Sequence, residues 1–416
     1  MTNAYFYAAL VGVLFVQAVE VLGDILNLRA LRLEAPAALA DVYDPDEYRR
    51  SQQYTRVRTR FGFVESGFSL IVFLLFWLLG GFGWWDGVVR GWDVGPLWTG
   101  LVFLIGLMLA RSVLDLPFSA WAVFVIEERF GFNRTSPRTF VADLAKGVAV
   151  SLVLGVPLLL GFLALFEYGG SWAWVYAWIA AALFSLVMQV LVPMFIMPLF
   201  NKFTPLEDEE LKQAVMDYAQ RVDFPLKGVY VIDASRRSTK GNAFFTGVGR
   251  AKRIALFDTL IDRHPREELL AVLAHEVGHY KKRHVLLGTL VAVLETGVFL
   301  ALFSVLVDQA GLFAAFDVDT PSVYAGIIFV SVLLRPLQLV LSVAGAAWSR
   351  RHERQADRFA ADTTGRADLL ISGLERLTRD SLSNLTPHPV YVFLNYSHPP
   401  LLERTRSLRA LQAEGL

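Results

Sequence analysis

Two histidines and a glutamate are spaced for metal chemistry in the segment LLAVLAHEVGHYKKRH, residues 269–284. His275 and His279 are four residues apart, so on an α-helix they share a face and both imidazoles can reach one ion. Glu276 lies beside the first histidine, where it can take a proton from a water that the ion has acidified. The spacing predicts a zinc site. The alternative is an ordinary helix end solvated at a membrane surface.

A third ligand is predicted in the segment SRRHERQADRFAAD, residues 349–362. Glu353 and Asp357 are also four residues apart and share a helix face. Glu353 can complete the metal site, while Asp357 can accept the second N–H of a ligating histidine and fix its tautomer. The competing interpretation is that both carboxylates pair with neighbouring arginines on a solvated helix.

The composition indicates that the elements around these residues lie in a bilayer. Of 416 residues, 55% are hydrophobic and 19% are charged, whereas soluble domains carry about 25% charged residues. The formal net charge is zero, so no basic excess points to a nucleic-acid partner. The absence of cysteine excludes disulfides and thiolate ligands, and any metal must be held by His, Asp or Glu.

Seven segments are long and apolar enough for membrane spans, which need about 20 residues. A soluble protein with seven buried core helices is the alternative. The N-terminal segment has no basic residue before its apolar run, so it is interpreted as a retained span and not a signal peptide. The predicted spans are roughly 4–27, 63–85, 95–117, 147–167, 172–199, 285–307 and 321–346.

Loop charges predict the orientation of these spans. Loops rich in Lys and Arg alternate with nearly neutral ones, which places the N-terminus outside and the C-terminus in the cytoplasm. Two spans separate His279 from Glu353, so the chain returns to the side that it left and the three ligands can meet. We therefore expect four parts. They are a membrane domain (1–199), a catalytic insertion (200–284), two further spans (285–346) and a C-terminal catalytic segment (347–416).

Polar side chains interrupt several spans. In the first span they recur every three or four residues, which forms one helical stripe of Gln17, Glu20, Asp24 and Asn27. Charged groups are costly against lipid, so such stripes face the bundle interior or a water-filled cavity. Ion pairing between helices and a wet internal chamber both remain open. The insertion is expected to form a helix at about 207–223, three extended segments and the helix that starts near Pro265.

The chain resembles the integral-membrane CAAX prenyl endopeptidases, which are seven-span zinc metalloproteases. The similarity runs from end to end, and the catalytic half carries its most specific motifs: GNAFFTGVGRAKRIALFDTLI, EELLAVLAHEVGHYKKRH, RHERQADRFAAD and NYSHPPLLERTRSL. The resemblance implies a mainly α-helical, polytopic membrane protein whose seven helices enclose a chamber, with a small cytoplasmic α+β zinc-metalloprotease domain. It also implies one Zn²⁺ and a peptide or protein substrate, which in this family is prenylated.

The resemblance assigns roles residue by residue. His275, His279 and Glu353 match the zinc ligands, and Glu276 matches the general base. His398 and Arg404 match residues that stabilise the tetrahedral intermediate. The segment Asn242, Ala243, Phe244 and Phe245 matches an edge strand to which an extended substrate pairs. Without the resemblance, His398 is interpreted as a turn residue before two prolines.

Two other functions are considered. A quality-control metalloprotease with non-prenylated substrates would use the same chemistry, but such enzymes have fewer spans. A carrier or channel with a structural zinc would be expected to fill all four metal positions with protein ligands. Three ligands are predicted here, which leaves one position for water and favours an enzyme.

Overall fold

The computed structural model describes residues 2–32, 34–247 and 252–414. Helices form most of the chain. In the membrane half they are α1 (Ala4–Ala30), α2 (Pro45–Leu78), α3 (Gly81–Arg90), α4 (Pro96–Trp121), α5 (Pro137–Tyr168), α6 (Ala173–Leu191) and α7 (Met197–Phe200). In the catalytic half they are α8 (Glu209–Arg221), α9 (Asp258–Ile261), α10 (Arg266–Lys281), α11 (His284–Leu306), α12 (Ala310–Ala315), α13 (Val323–Leu333), α14 (Arg335–Thr364), α15 (Ala367–Asp380), α16 (Pro389–Asn395) and α17 (Leu401–Ala413).

Six helical segments in the described part of the chain are long and apolar enough to cross a bilayer, and a bent pair makes a seventh if it counts as one span. Two of the six continue through short π-helical turns, Ala122–Glu127 after α4 and Val192–Ile196 after α6. The mainly α-helical class and the seven predicted apolar segments are therefore confirmed.

The seventh span differs from the predicted continuous segment 321–346. It consists of α13 and α14, which meet at 61° around Leu334. Pro336 lies in the first turn of α14. Because proline has no N–H and its ring clashes with the carbonyl four residues earlier, it favours a kink or a break in the helix at this place. Gly12 of α1 fits against this bend, where an added Cβ would lie 2.9 Å from Pro336 Cγ.

The second span starts earlier and ends earlier than the predicted 63–85. Helix α2 begins at Pro45, and Asp44 caps it by accepting hydrogen bonds from the Asp46 and Glu47 amides. Its 34 residues measure about 51 Å at 1.5 Å per residue, which exceeds the hydrocarbon thickness of about 30 Å. The arginine-rich segment predicted as a loop is thus the protruding half of a helix. Gly80, at φ +75°, ends the span.

A small four-stranded sheet lies in the insertion. Its strands are β1 (Phe203–Pro205), β2 (Leu226–Ile232), β3 (Ala243–Thr246) and β4 (Lys252–Phe257). Their order is β1-β2-β4-β3, with β2 and β4 parallel and the other pairs antiparallel. The three predicted extended segments overlap β2, β3 and β4, but β2 and β4 each begin one residue earlier than predicted, at Leu226 and Lys252. The end of the last segment, RIALFDTLI, was wrongly predicted as extended and forms helix α9. The three-residue β1 was not predicted. Strand β3 forms an edge of the sheet.

One hydrophobic core joins the insertion to the C-terminal segment. Its fully buried members come from α8, β4, α9, α10, α14, α15 and α17, and include Leu211, Leu256, Ala274, Leu370 and Leu408. A separate aromatic core lies among the spans, where Trp77 stacks on Phe316 with ring centroids 4.6 Å apart. Residues that are distant in the sequence therefore build the catalytic domain together.

Two polar positions in the spans show how their side chains are accommodated. Asn27, at the end of the stripe on α1, is buried and accepts a hydrogen bond from the amide of His388. Arg111 pairs with Asp115 on its own helix at 2.6 Å and stays half exposed. This pair does not link two helices. A cavity of about 740 Å³ lies nearby between α4, α5, α11 and α13.

Candidate metal centre

Helix α10 carries the first two predicted ligands and packs closely against α14, which carries the third. The two helices approach at Gly278, where an added Cβ would lie 3.1 Å from both Cα and the carbonyl oxygen of Ala356. A side chain at this position would therefore require the neighbouring backbone to move by a few tenths of an ångström. His275, Glu353 and Asp357 are all buried at this contact.

The three predicted ligands converge. His275 Nε2 lies 3.1 Å from His279 Nε2 and 3.4 Å from Glu353 Oε2, and His279 Nε2 lies 3.2 Å from Glu353 Oε1. Ligand atoms bound tetrahedrally at about 2.0–2.1 Å from zinc stand about 3.3 Å apart. Two imidazoles and one carboxylate at these separations fit a single zinc ion, with the remaining side free for water.

Asp357 contacts the rear of the first histidine. Its Oδ1 lies 2.8 Å from His275 Nδ1, which fixes the tautomer that leaves Nε2 free to ligate. Arg404 donates from Nε and Nη2 to the two oxygens of Asp357 at 2.9 and 2.5 Å. Burial alone would oppose two such charges, but this bidentate pair compensates both. The predicted arginine thus contacts the carboxylate behind the ligand.

His398 contacts the third ligand. Its Nδ1 lies 2.8 Å from Glu353 Oε2, while its side chain remains 64% exposed. Arg404 Nη1 is 3.7 Å from the same oxygen. His398 lies in the turn between α16 and α17, just before Pro399. This turn brings its ring to the metal centre. A hydrogen-bond donor at this place can contact an oxygen that gains negative charge.

Glu276 points into the space beside the three ligands. Burial raises the pKa of Glu276 above its ordinary value, against the effect of His275 and His279. A raised pKa makes this carboxylate a stronger base, as the removal of a proton from water requires. Glu276 lines two cavities, of about 150 and 660 Å³, and residues of β3 line both of them.

The predicted substrate strand lies at this place. Asn242 and Ala243 line the smaller cavity together with His275, Glu353 and His398, and Phe244 and Phe245 line the larger one. The carbonyl of Asn242 accepts from the Phe257 amide at 3.0 Å, which ties the start of β3 to the end of β4. One side of β3 is paired with β4 and the other is a sheet edge.

The smaller cavity contains residues that the sequence did not single out. The part of its wall opposite the polar groups is aliphatic and comes from α9, α10 and α15: Leu260, Val272, Leu370, Leu374 and Leu377. Such leucines are indistinguishable from core residues until the fold brings them beside Glu276. His284 and Gln355, behind His279, were also missed. A histidine at the first position of an apolar span was the available signal.

Comparisons with known proteins match this geometry over the whole chain. A family model described as the CAAX prenyl protease N-terminal domain, with five membrane helices, matches residues 24–202, and the model of peptidase family M48 matches residues 205–412. The chain belongs to peptidase family M48. It is 37% identical to a probable CAAX prenyl protease 1 of Schizosaccharomyces pombe over 91% of this chain and 82% of the relative.

Two further relatives have the same extent. A CAAX prenyl protease 1 homolog of Arabidopsis thaliana is 35% identical over 97% of both chains. The crystal structure of S. mikatae Ste24p superposes with a TM-score of 0.92 at 30% identity, covering 98% of this chain and all of that one. The M48 chain described here is thus an integral membrane metalloendopeptidase, and the predicted fold and enzyme class are confirmed.

Proposed function

We propose that this enzyme is a zinc endopeptidase that cleaves CAAX-type protein C-termini carrying a lipid. One Zn²⁺ would be held by His275, His279 and Glu353, and Asp357 would orient His275. The convergence of the three side chains supports this assignment above all: the two Nε2 atoms lie 3.1 Å apart, and each lies 3.2–3.4 Å from one of the two Glu353 carboxylate oxygens. The relatives named as CAAX prenyl proteases support the substrate class.

When bound, the ion supplies Lewis-acid polarisation of the attacking water and of the scissile carbonyl. Glu276 takes a proton from that water and later delivers it to the leaving amine nitrogen. His398 donates a hydrogen bond to the carbonyl oxygen as negative charge develops there. Arg404 holds Asp357 and adds positive charge on the same side.

The substrate backbone would pair with β3. An extended peptide added to this edge meets main-chain groups of Ala243, Phe244 and Phe245, beginning at Asn242. The aliphatic cavity of about 150 Å³ beside His275 and Glu276 would receive one Val- or Leu-sized side chain next to the scissile bond. Its size and apolar wall favour the aliphatic residues of a CAAX sequence.

The larger cavity supports a lipid-modified substrate. It extends from Glu276 and β3 to apolar side chains of two spans, Leu186 on α6 and Val285 and Leu286 on α11. A hydrocarbon chain attached near the scissile bond would gain about 25 cal/mol per Å² by leaving water there. An unmodified peptide would not use this surface.

The substrate class is tested on the purified enzyme with a farnesylated CAAX peptide and its unprenylated counterpart, each with and without a chelator. We expect chelator-sensitive cleavage at one site and a higher kcat/KM for the farnesylated peptide. Equal rates on both peptides, with many cleavage sites in unfolded proteins, would favour a quality-control enzyme instead.

The role of Glu276 is tested by Glu276→Gln. Because the amide cannot accept the water proton, we expect kcat to fall by about 10²–10⁴-fold while zinc content stays near one ion per chain. Glu267→Gln, in the first turn of the same helix, is the matched control and should keep parental activity. Full activity in Glu276→Gln would refute the proposed base.

We also propose the predicted four-part organisation and its orientation. The shared core of the insertion and the C-terminal segment supports one catalytic unit formed by 200–284 and 347–416. The membrane domain would be 1–199, with spans 285–346 joining the two catalytic segments. The N-terminus would lie outside and the catalytic unit in the cytoplasm, as the loop arginines indicate.

A further inference from the structure

A third histidine lies directly behind the second ligand. His279 directs Nε2 towards Glu353 and His275, and its Nδ1 lies 3.0 Å from His284 Nδ1. His284 is 6% exposed. Its other nitrogen, Nε2, lies 2.9 Å from Gln355 Oε1. The three side chains form one chain of hydrogen bonds leading away from the metal centre.

Only one arrangement of protons satisfies this chain when His279 ligates through Nε2. The His279 proton is then on Nδ1 and is donated to His284, whose Nδ1 must be the unprotonated nitrogen. The His284 proton is on Nε2 and is donated to Gln355 Oε1. The amide oxygen of Gln355 accepts only, so it selects this tautomer of His284.

We propose that His284, oriented by Gln355, is a positioning residue that fixes the ring and tautomer of His279. The inference rests on the proposed metal site. It assigns to His279 the kind of partner that Asp357 provides for His275. Helix α14 carries both orienting residues, Asp357 behind His275 and Gln355 behind His284.

The two partners share an electrostatic property. Asp357 is paired with Arg404, and His284 with Gln355 is a neutral pair. Each histidine ligand is therefore oriented without net negative charge being added behind it. A cation held here keeps more of its Lewis acidity than it would beside two unpaired carboxylates.

Packing holds the His284 ring in the required plane. His352 stacks on it with centroids 3.9 Å apart and an angle of 6° between the planes. His352 makes this contact from outside the hydrogen-bond chain. It thus provides a control that separates ring packing from hydrogen bonding.

The test measures zinc affinity on the full-length, detergent-purified enzyme by competition with a chromophoric chelator. His284→Leu leaves the His279 N–H unpaired, and we expect zinc affinity to fall about 10–100-fold. His284→Asn restores an acceptor near the position of Nδ1 and should recover most of that loss. His352→Phe preserves the stack and should match the parent. Visible spectra of the Co²⁺-loaded proteins should change in His284→Leu and return towards the parent in His284→Asn.

Unchanged zinc affinity in His284→Leu would overturn the proposal. Equal losses in His284→Leu and His284→Asn would also overturn it, because they would assign the effect to the ring and not to its acceptor. If His284→Leu does not fold, as judged by thermal unfolding of the metal-free protein, Gln355→Leu decides. It should weaken zinc binding several-fold, and parental affinity there contradicts the inference. A parent that neither binds zinc nor cleaves peptide would contradict the proposed function instead.

Discussion

At the scale of single residues, buried charge fixes the start of the catalytic helix. Glu268, in the first turn of α10, is buried and accepts from Arg376 Nε at 2.9 Å and from Ser372 Oγ at 2.5 Å. His264 Nδ1 lies 3.2 Å from the same carboxylate. Helix α15 thereby holds the end of α10 opposite to the zinc ligands.

This cluster makes stability depend on pH. Burial lowers the pKa of His264 below its ordinary value of 6.5. Burial would raise the pKa of Glu268, but the hydrogen bonds from Arg376 and Ser372 hold it below 4.5. In both cases the unfolded chain binds protons more readily than the folded one, so acidification favours unfolding.

We therefore expect the unfolding temperature to fall as the pH decreases below about 6.5, first through His264 and later through Glu268. The measurement is thermal unfolding of the detergent-purified enzyme between pH 8 and pH 5. His264→Leu should flatten the upper part of this dependence. His388→Asn, which preserves the cap of α16, is the control and should keep the parental slope. An unchanged slope in His264→Leu contradicts the assignment.

Residue types and spacing were sufficient to predict His275, His279 and Glu353 as neighbours, because helical periodicity and two membrane crossings bring them together. They were not sufficient for His284, Gln355 or Glu268. These residues acquire partners only when α10, α14 and α15 pack. His398 was identified by resemblance alone, since a histidine before two prolines is typical of a turn.

At the scale of elements, the close contact between α10 and α14 determines the distance between the ligands. Gly278 lies against the α14 backbone at Ala356, one turn from Glu353. Backbone atoms cannot rotate away as a side chain can. We therefore expect a bulky side chain at position 278 to push the two ligand-bearing helices apart.

Gly278→Val is expected to lower kcat/KM about 10–100-fold, because a displacement near 1 Å at a catalytic centre has an effect of that order, and to weaken zinc binding. Steady-state assays and zinc titration measure the two effects. Gly288→Val is the matched control, since no atom lies within 4 Å of an added Cβ there, and it should match the parent. Parental activity in Gly278→Val would show that the contact is not required.

The sequence predicted most elements but not how they end. Apolar runs give approximate span positions, yet α2 begins at a cap, Asp44, eighteen or so residues before the apolar run, and Gly80 ends it. Pro336 is compatible with the bend at Leu334, but the prolines inside α4 and α5 do not interrupt those helices, so a proline alone did not predict where the chain bends. Strand β1 has three residues, too few for a periodic pattern.

At the scale of the whole molecule, two crossings of the bilayer connect the halves of the metal centre. Helices α11, α13 and α14 carry the chain from His279 to Glu353, and one core then encloses both catalytic segments. The ligand geometry requires the insertion and the C-terminus to lie on the same side. In the proposed orientation that side is the cytoplasm, because the arginine-rich segments between the spans would lie there.

The orientation is tested with single cysteines, because the chain has none of its own. Ser171→Cys, in the exposed turn before α6, and Gln220→Cys, exposed on α8, lie on opposite sides in the proposed topology. A membrane-impermeant maleimide applied to intact cells should label Ser171→Cys only. Both should react after the cells are opened. Labelling of Gln220→Cys in intact cells would contradict the proposed orientation.

Helix α14 continues without a break from Arg335 at the bend to Thr364, about 45 Å at 1.5 Å per residue. Glu353 lies on this helix, and no break separates it from the membrane-spanning part that begins at Arg335. A change in bilayer thickness that tilts the membrane-embedded part of α14 would therefore move the Glu353 carboxylate relative to the imidazoles of His275 and His279 on α10. The thickness of the bilayer would in this way influence the rate of peptide hydrolysis.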